Sequence, residues 1–184
     1  MSKSRTRVLW IEDKTQLELA YLVPPVLLDG NYDLEVAHNA TQAVEILAHA
    51  WRGEFDLLVF DLDIPPGKWL EFQQFYKEHE RQGQEPSMLG LELLAFIRRG
   101  GGMRFKVPSH SPLGELLYLT HRKYNTRPAG VFSIYTDLKR KELIELLDLQ
   151  KQPDIQKKIL IQKHAGMPRT ALLKLLNALA SMRE

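Results

Sequence analysis

The chain has 184 residues, 44% hydrophobic and 26% charged, which is long enough to bury one sizeable core, too short for two comfortable domains, and unlike a disordered or fibrous chain. It has no cysteine, so disulfides, thiolate-bound zinc, iron–sulfur clusters and thiol nucleophiles are excluded, and a cytoplasmic setting is expected. Twenty-five Lys and Arg against 23 Asp and Glu leave a formal charge of +2, too small to point to nucleic acid. The first residues are charged and lead straight into an apolar run, so no secretory signal is expected. The most apolar stretch, Leu17 to Leu28, contains Glu18, Pro24 and Pro25 and is too short to span a bilayer, so no membrane insertion is expected.

In chain order, short apolar runs alternate with helical periodicity, the pattern of an α/β fold. Arg7 to Ile11 predicts a buried strand, followed by a helix over Thr15 to Leu28 that Pro24-Pro25 should break or kink. Asp33 to Ala37 predicts a second strand, and Asn39 caps a helix running to Trp51. Phe55 to Leu62 is the strongest strand, apolar enough to be central and covered on both faces. Lys68 to Glu80 has helical spacing, with Trp69, Phe72 and Tyr76 on one stripe. Leu89 to Arg99 is an amphipathic helix stopped by Gly100. Met103 to Pro128 is of mixed character, with an apolar patch at Leu116 to Leu119. Gly130 to Thr136 predicts a fourth strand, Leu138 to Leu149 a helix, Lys158 to Gln162 a fifth strand, and Pro168 to Met182 a final helix.

In parallel α/β sheets, ligands bind beyond the carboxyl ends of the strands. The polar residues expected there are Glu12 and Asp13 after strand one, Asp61 in strand three, Thr136 at the end of strand four, and Lys163 after strand five. Carboxylates converging at one edge repel one another unless a cation sits among them, and hard oxygen donors with open positions suit Mg²⁺. A hydroxyl and an ammonium facing the same point would hold the oxygens of a phosphoryl group, with Asp61 as carboxylate nucleophile forming an acyl phosphate.

These segments, RVLWIEDK, FDLLVFDLDIP, LGLELLAFIRR, VFSIYT and ILIQK, resemble in type and order a response-regulator receiver domain of two-component signalling. The resemblance implies a flavodoxin-like, doubly wound, five-stranded parallel sheet in the order 2-1-3-4-5, with helices on both faces. It implies a single receiver-like domain over residues 1–184 with insertions at about 66–88 and 101–129. Asp61 would accept phosphate from a histidine kinase or phosphotransfer protein. Glu12, Asp13, Asp61 and the backbone carbonyl of Asp63 would hold Mg²⁺, and Thr136 and Lys163 would contact the phosphoryl oxygens. The output would pass to a protein partner, with a homodimer left open. The sequence departs from the family at three points: His164 follows Lys163 where Pro is usual, Leu160 replaces the switch aromatic, and Asp137 follows Thr136 where a small residue is usual.

Other readings stand beside this one. Strand-end Asp61, Thr136 and Lys163 are also ordinary caps, β-branched strand residues and solvated lysines. A phosphorylation-independent interaction module of the same fold is the alternative that the three departures favour. The run FDLLVFDLDIP also resembles the nucleophile motif of haloacid-dehalogenase-like phosphatases, with Asp63 as general acid, although Pro65 stands where that family carries Thr or Ser. The aromatic stripe reads as core packing or as a docking surface beside Asp61. Arg104, Lys106, Arg122, Lys123 and Arg127 against Glu115 read as a solvated loop or an acidic-partner patch. No DNA-reading module follows the final helix, so direct DNA binding is not expected.

Overall fold

A computed structural model of the chain describes residues 5–13, 15–50, 53–82, 86–101, 104 and 106–183; the side chains of 15–18 and 80–82 lie outside this description. Five parallel strands, β1 (Thr6–Ile11), β2 (Tyr32–Ala37), β3 (Leu57–Phe60), β4 (Ala129–Ser133) and β5 (Leu160–Gln162), form one sheet in the order β2-β1-β3-β4-β5. Eight helices lie among the described residues: α1 (Thr15–Asp29), α2 (Ala40–His49), α3 (Leu70–Gln82), α4 (Leu89–Arg99), α5 (Pro112–Tyr124), α6 (Arg140–Leu146), α7 (Pro153–Ile159) and α8 (Ala171–Ala180).

Burial explains the strand order. Every residue of β3 and of β4 is buried, as central strands covered on both faces require, whereas β2 alternates between buried and exposed at the sheet's edge. Helices α1, α7 and α8 pack as one group and α2, α4 and α5 as another, the two layers of a doubly wound fold. Trp10 of β1 meets Phe132 of β4 edge to face, with ring centroids 6.1 Å apart.

The register is what builds a site. Ile11 pairs with both Ala37 and Phe60, Phe60 with Val131, and Ser133 with Gln162. The residues that follow these pairs therefore leave the sheet at one level. Backbone hydrogen bonds hold them there: Asp61 N–H donates to Ile11 O at 2.9 Å, Glu12 N–H to Ala37 O at 2.8 Å, and Lys163 N–H to Ser133 O at 3.0 Å.

Several elements differ from the sequence expectation. Helix α1 runs unbroken through Pro24 and Pro25, each costing about 3 kcal/mol in a helix interior, with Leu22 and Val26 buried and Leu19 and Val23 packed against the core. Strand β4 ends at Ser133, three residues before Thr136, where the chain turns. The segment of mixed character contains α5, capped by Ser111, whose Oγ accepts from Gly114 N–H at 3.1 Å, with Pro112 in its first turn. A seven-residue helix, α7, takes the first part of the expected fifth strand. Helix α2 ends at His49, and Trp51 lies outside the described residues.

Of the aromatic stripe in the first inserted stretch, Phe72 is buried and Trp69 packs against the core, whereas Tyr76 is only partly buried; Phe75 of α3, outside the stripe, is buried too. The loop before α3 is stitched to the start of α2: Thr41 Oγ1 accepts from Lys68 N–H and Trp69 N–H at 3.0 and 3.1 Å, and donates to Pro66 O at 2.9 Å. Gly67 sits in this seam at φ +75°, where a Cβ would collide with Asn39 and Thr41.

Candidate functional site

Beyond the carboxyl edge of the sheet, Lys163 lies buried between two buried carboxylates. Its Nζ donates to Asp61 Oδ2 at 2.7 Å and to Glu12 Oε2. Burial alone pushes the ammonium's pKa down, but the charges and hydrogen bonds of Asp61 and Glu12 outweigh that and hold it above the ordinary lysine value. The ring of Phe132 lies 5.7 Å from the same Nζ. Asp13 is partly buried beside Glu12, and one carboxylate oxygen from each of Glu12, Asp13 and Asp61 falls within 4.8 Å of the others.

The other oxygen of Asp61 is held as well. Ser133 Oγ donates to Oδ1 at 2.6 Å, and the backbone N–H of Asp63 donates to it at 3.3 Å. The hydroxyl at Asp61 is thus that of Ser133, and Thr136 is not brought against Asp61. Thr136 is buried with its hydroxyl 2.9 and 2.8 Å from the carbonyl oxygens of Ser133 and Ile161, sharing its one hydrogen between them. Its work in this geometry is to close the turn after β4 onto β5. The sequence held a signal for Ser133: Glu12 and Asp61 are each the first polar residue after an apolar strand run, and Ser133 is the first polar residue after Val131-Phe132.

The residues at which the sequence departs from the family take the following places. With Ser133 at the strand end, the residue that follows it is Ile134, exposed on the rim. Asp137 pairs with Arg140 at 2.6 Å on the surface and contributes no charge to the cluster's centre. Leu160 is buried in the core at the start of β5. His164 is exposed, its Nδ1 3.0 Å from Ala165 O. A contact with no signal in the sequence is that of His38, after β2, whose Nδ1 lies 3.2 Å from the backbone carbonyl of Glu12.

Helix α4 abuts the loop that follows Asp61. Its first turn carries Gly90, where a Cβ would collide with the carbonyl oxygen of Asp61, and Leu91 N–H donates to Leu62 O at 3.2 Å. Glycine is therefore required there by close approach of two backbones. At its other end Gly100, at φ +71°, returns its N–H to Phe96 O at 2.7 Å.

The basic residues of the second inserted stretch are mostly engaged within the fold. Arg104 pairs with buried Glu92, Lys123 Nζ donates to Ala48 O at 2.7 Å, and Arg127 pairs with Glu54 at 2.7 Å. Arg122 lies over Tyr118, 5.8 Å from its centroid.

Carboxylate oxygens spaced in this way, from Glu12, Asp13 and Asp61, could together hold a metal ion. The five-stranded parallel sheet in the order 2-1-3-4-5 makes the fold flavodoxin-like, an order that receiver domains share, and the acidic cluster lies at its carboxyl edge. Among solved structures, the chain is similar to one described as the bacteriophytochrome response regulator AtBRR, with a TM-score of 0.48 and 14% identity over 97% of this chain and 94% of that one. Neither a protein-family profile nor a curated protein matches the sequence. Among the described residues, no helix is long and apolar enough to cross a membrane.

Proposed function

We propose that the chain is a response-regulator receiver that accepts a phosphoryl group on Asp61 from a histidine kinase or phosphotransfer protein, in a Mg²⁺-dependent reaction, and signals through a protein partner. The observation that carries this reading is the pairing at Asp61: one oxygen faces the Ser133 hydroxyl and the other the Lys163 ammonium, with oxygens of Glu12 and Asp13 within 4.8 Å.

In the proposed reaction a carboxylate oxygen of Asp61 attacks the donor's phosphorus. A P–O bond forms to Asp61, the bond to the donor breaks, and its electron pair leaves with the donor. Lys163 and Ser133, already in contact with the carboxylate, are the donors available to the phosphoryl oxygens as negative charge collects on them. Glu12, Asp13, Asp61 and the Asp63 carbonyl would hold Mg²⁺, which would supply further charge neutralisation. Burial of the cluster strengthens each of these interactions relative to water. The chain is on this reading a signalling domain and not a turnover enzyme.

The test is incubation of the full chain with a small phosphodonor such as acetyl phosphate and Mg²⁺, followed by intact-mass measurement. Gain of one phosphoryl group by the native chain and none by Asp61→Asn is the expected result. No gain, or an equal gain in the variant, overturns the reading. Buried Leu160, in place of a mobile aromatic, favours the interaction-module alternative, which predicts partner binding unchanged by the donor. Turnover of an exogenous phosphoester requiring Asp63 would point to the phosphatase alternative.

A further inference from the structure

The entry into α4 is built unlike an ordinary helix start. Ser87 is buried, and its Oγ donates to Asp63 Oδ1 at 3.1 Å while lying 3.4 Å from Leu89 N–H. Met88, the next residue, is buried with φ +54° in the left-handed region, a conformation that costs a non-glycine residue on the order of 1 kcal/mol. Two residues on, Gly90 rests on the carbonyl of Asp61, and Leu91 N–H reaches Leu62 O. The strained turn thus grips the Asp61–Asp63 loop at three successive residues, by one side chain and two backbone contacts. Backbone strain persists where surrounding structure over-determines it, and here the surroundings are the loop beside the acidic cluster.

A segment outside the sheet holds this turn in place. Arg104 pairs through Nε with Glu92 in the first turn of α4. Its backbone N–H donates to the same carboxylate at 2.8 Å, and its Nη2 lies 3.4 Å from Ser87 O. The guanidinium also lies 5.6 Å from the centroid of Phe75 in α3. Both inserted stretches therefore meet on the turn that carries Ser87.

We infer that Ser87 is a positioning residue for the cation site: by holding the Asp63 carboxylate, it sets the backbone of the Asp61–Asp63 loop so that the carbonyl of Asp63 faces the cation held by Glu12, Asp13 and Asp61. This rests on the Mg²⁺-dependent reading above. Asp63 then acts through its main chain, and its side chain is the handle by which α4 fixes that main chain. Partners that orient a metal ligand without touching the metal typically change affinity by tenfold or more when removed.

The experiment is Mg²⁺ titration by calorimetry on the full chain, its Ser87→Ala and Asp63→Ala variants, and the double variant. Each is measured well below its unfolding temperature and in parallel with the acetyl phosphate assay. Ser87→Ala should weaken Mg²⁺ binding about tenfold, Ser87→Thr should restore most of it, and Ser87→Ala should have little further effect once Asp63 is Ala. If Ser87→Ala does not fold, Ser87→Cys, which keeps the volume, replaces it. Unchanged affinity in Ser87→Ala, or an equal loss in the Asp63→Ala background, overturns the inference. A chain that binds Mg²⁺ in this Ser87-dependent way yet gains no phosphoryl group would uphold the inference and overturn the phosphoacceptor reading. A chain that binds no Mg²⁺ would overturn both.

Discussion

Lys163 is the side chain whose removal tests the site most directly. Its ammonium faces Asp61 at 2.7 Å and also pairs with Glu12, and the side chains of all three residues are 5% exposed or less. In Lys163→Met the stem volume is nearly kept, so the packing cost is small, but two buried carboxylates lose their common partner. Leaving a buried charge uncompensated costs about 3–5 kcal/mol. For a chain of this length that corresponds to a fall in Tm of roughly 6–20 °C. The measurement is equilibrium urea denaturation at unchanged m-value, with Lys174→Met, an exposed lysine, as a control expected to lie within about 0.5 kcal/mol of the native chain. The pH dependence has a definite sign. A lysine whose folded pKa is raised contributes stability that is fully present below its ordinary value of 10.5 and is lost as pH climbs through the folded value. On the lysine's account, then, the gap between native and variant stays flat from about pH 7 to pH 9 and closes only in strong alkali. Mg²⁺ should stabilise the variant more than the native chain, because the ammonium no longer competes for Glu12 and Asp61. A tenfold excess over Kd is worth about 1.4 kcal/mol. If Lys163→Met unfolds within about 1 kcal/mol of the native chain, the ammonium is not what offsets the carboxylates, and the electrostatic account of the site is wrong.

Gly90→Ala should destabilise the fold by about 2 kcal/mol or more and weaken Mg²⁺ binding, since a methyl there drives α4 off the Asp61 carbonyl, whereas Gly101→Ala, with open space around its Cβ, should be near neutral. The pair is read by thermal unfolding and calorimetry, and a neutral Gly90→Ala would count against the tight seat of α4. The two hydroxyls near β4 separate by function: Ser133→Ala should slow phosphoryl uptake from acetyl phosphate at least tenfold and lose about 1.5–3 kcal/mol of stability, through the donor removed from the buried Asp61 carboxylate. Thr136→Val should leave uptake nearly intact and lose about 1 kcal/mol of stability, through the hydroxyl's lost hydrogen bond to the Ser133 and Ile161 carbonyls. The opposite pattern would return the phosphoryl contact to Thr136.

Where the sequence signal was strong and local, the fold could be read from it. The apolar run through β3, the alternation around it and the Leu89–Arg99 helix with its glycine stop each carried their own boundary chemistry. Glu12, Asp61 and Lys163 were legible because each stands at the end of such a run. Thr136 was misplaced because the β-branched run Ile134 to Thr136 reads as strand by propensity, while the chain turns as soon as pairing with β5 stops. Helix α5 did carry its start signal, Ser111-Pro112, but its apolar positions Leu113, Leu117 and Tyr124 are spread too thinly among polar residues for periodicity to stand out. Helix α7, with Ile159 as its one buried residue, has no periodicity to read. The hold of Ser87 on Asp63 is a contact between residues 24 apart, set by how α4 seats on the sheet, and no local pattern encodes it.

Charge balance separates this cluster from the ion pairs that serve the fold. Arg104 with Glu92 and Arg183 with Asp56 each set one cation against one carboxylate, and where Arg7 meets both Asp33 and Glu35 the acids are exposed. At the cluster, the Lys163 ammonium meets two buried carboxylates among the described residues, and Asp13 has an oxygen within 4.8 Å of theirs. A pair that exists for stability gains nothing from extra buried acid, because each added carboxylate is desolvated and repelled by its neighbours. Surplus negative charge held in fixed geometry is a cost that binding a cation relieves, and proteins retain such costs where function requires them. The close spacing of one oxygen from each of Glu12, Asp13 and Asp61 is therefore stronger support for a cation-binding role than carboxylates scattered over the edge would be. It also explains why the neighbouring loop is clamped so firmly by α4: a cluster of like charges left to relax would spread, and the clamp keeps its oxygens close enough to share one ion.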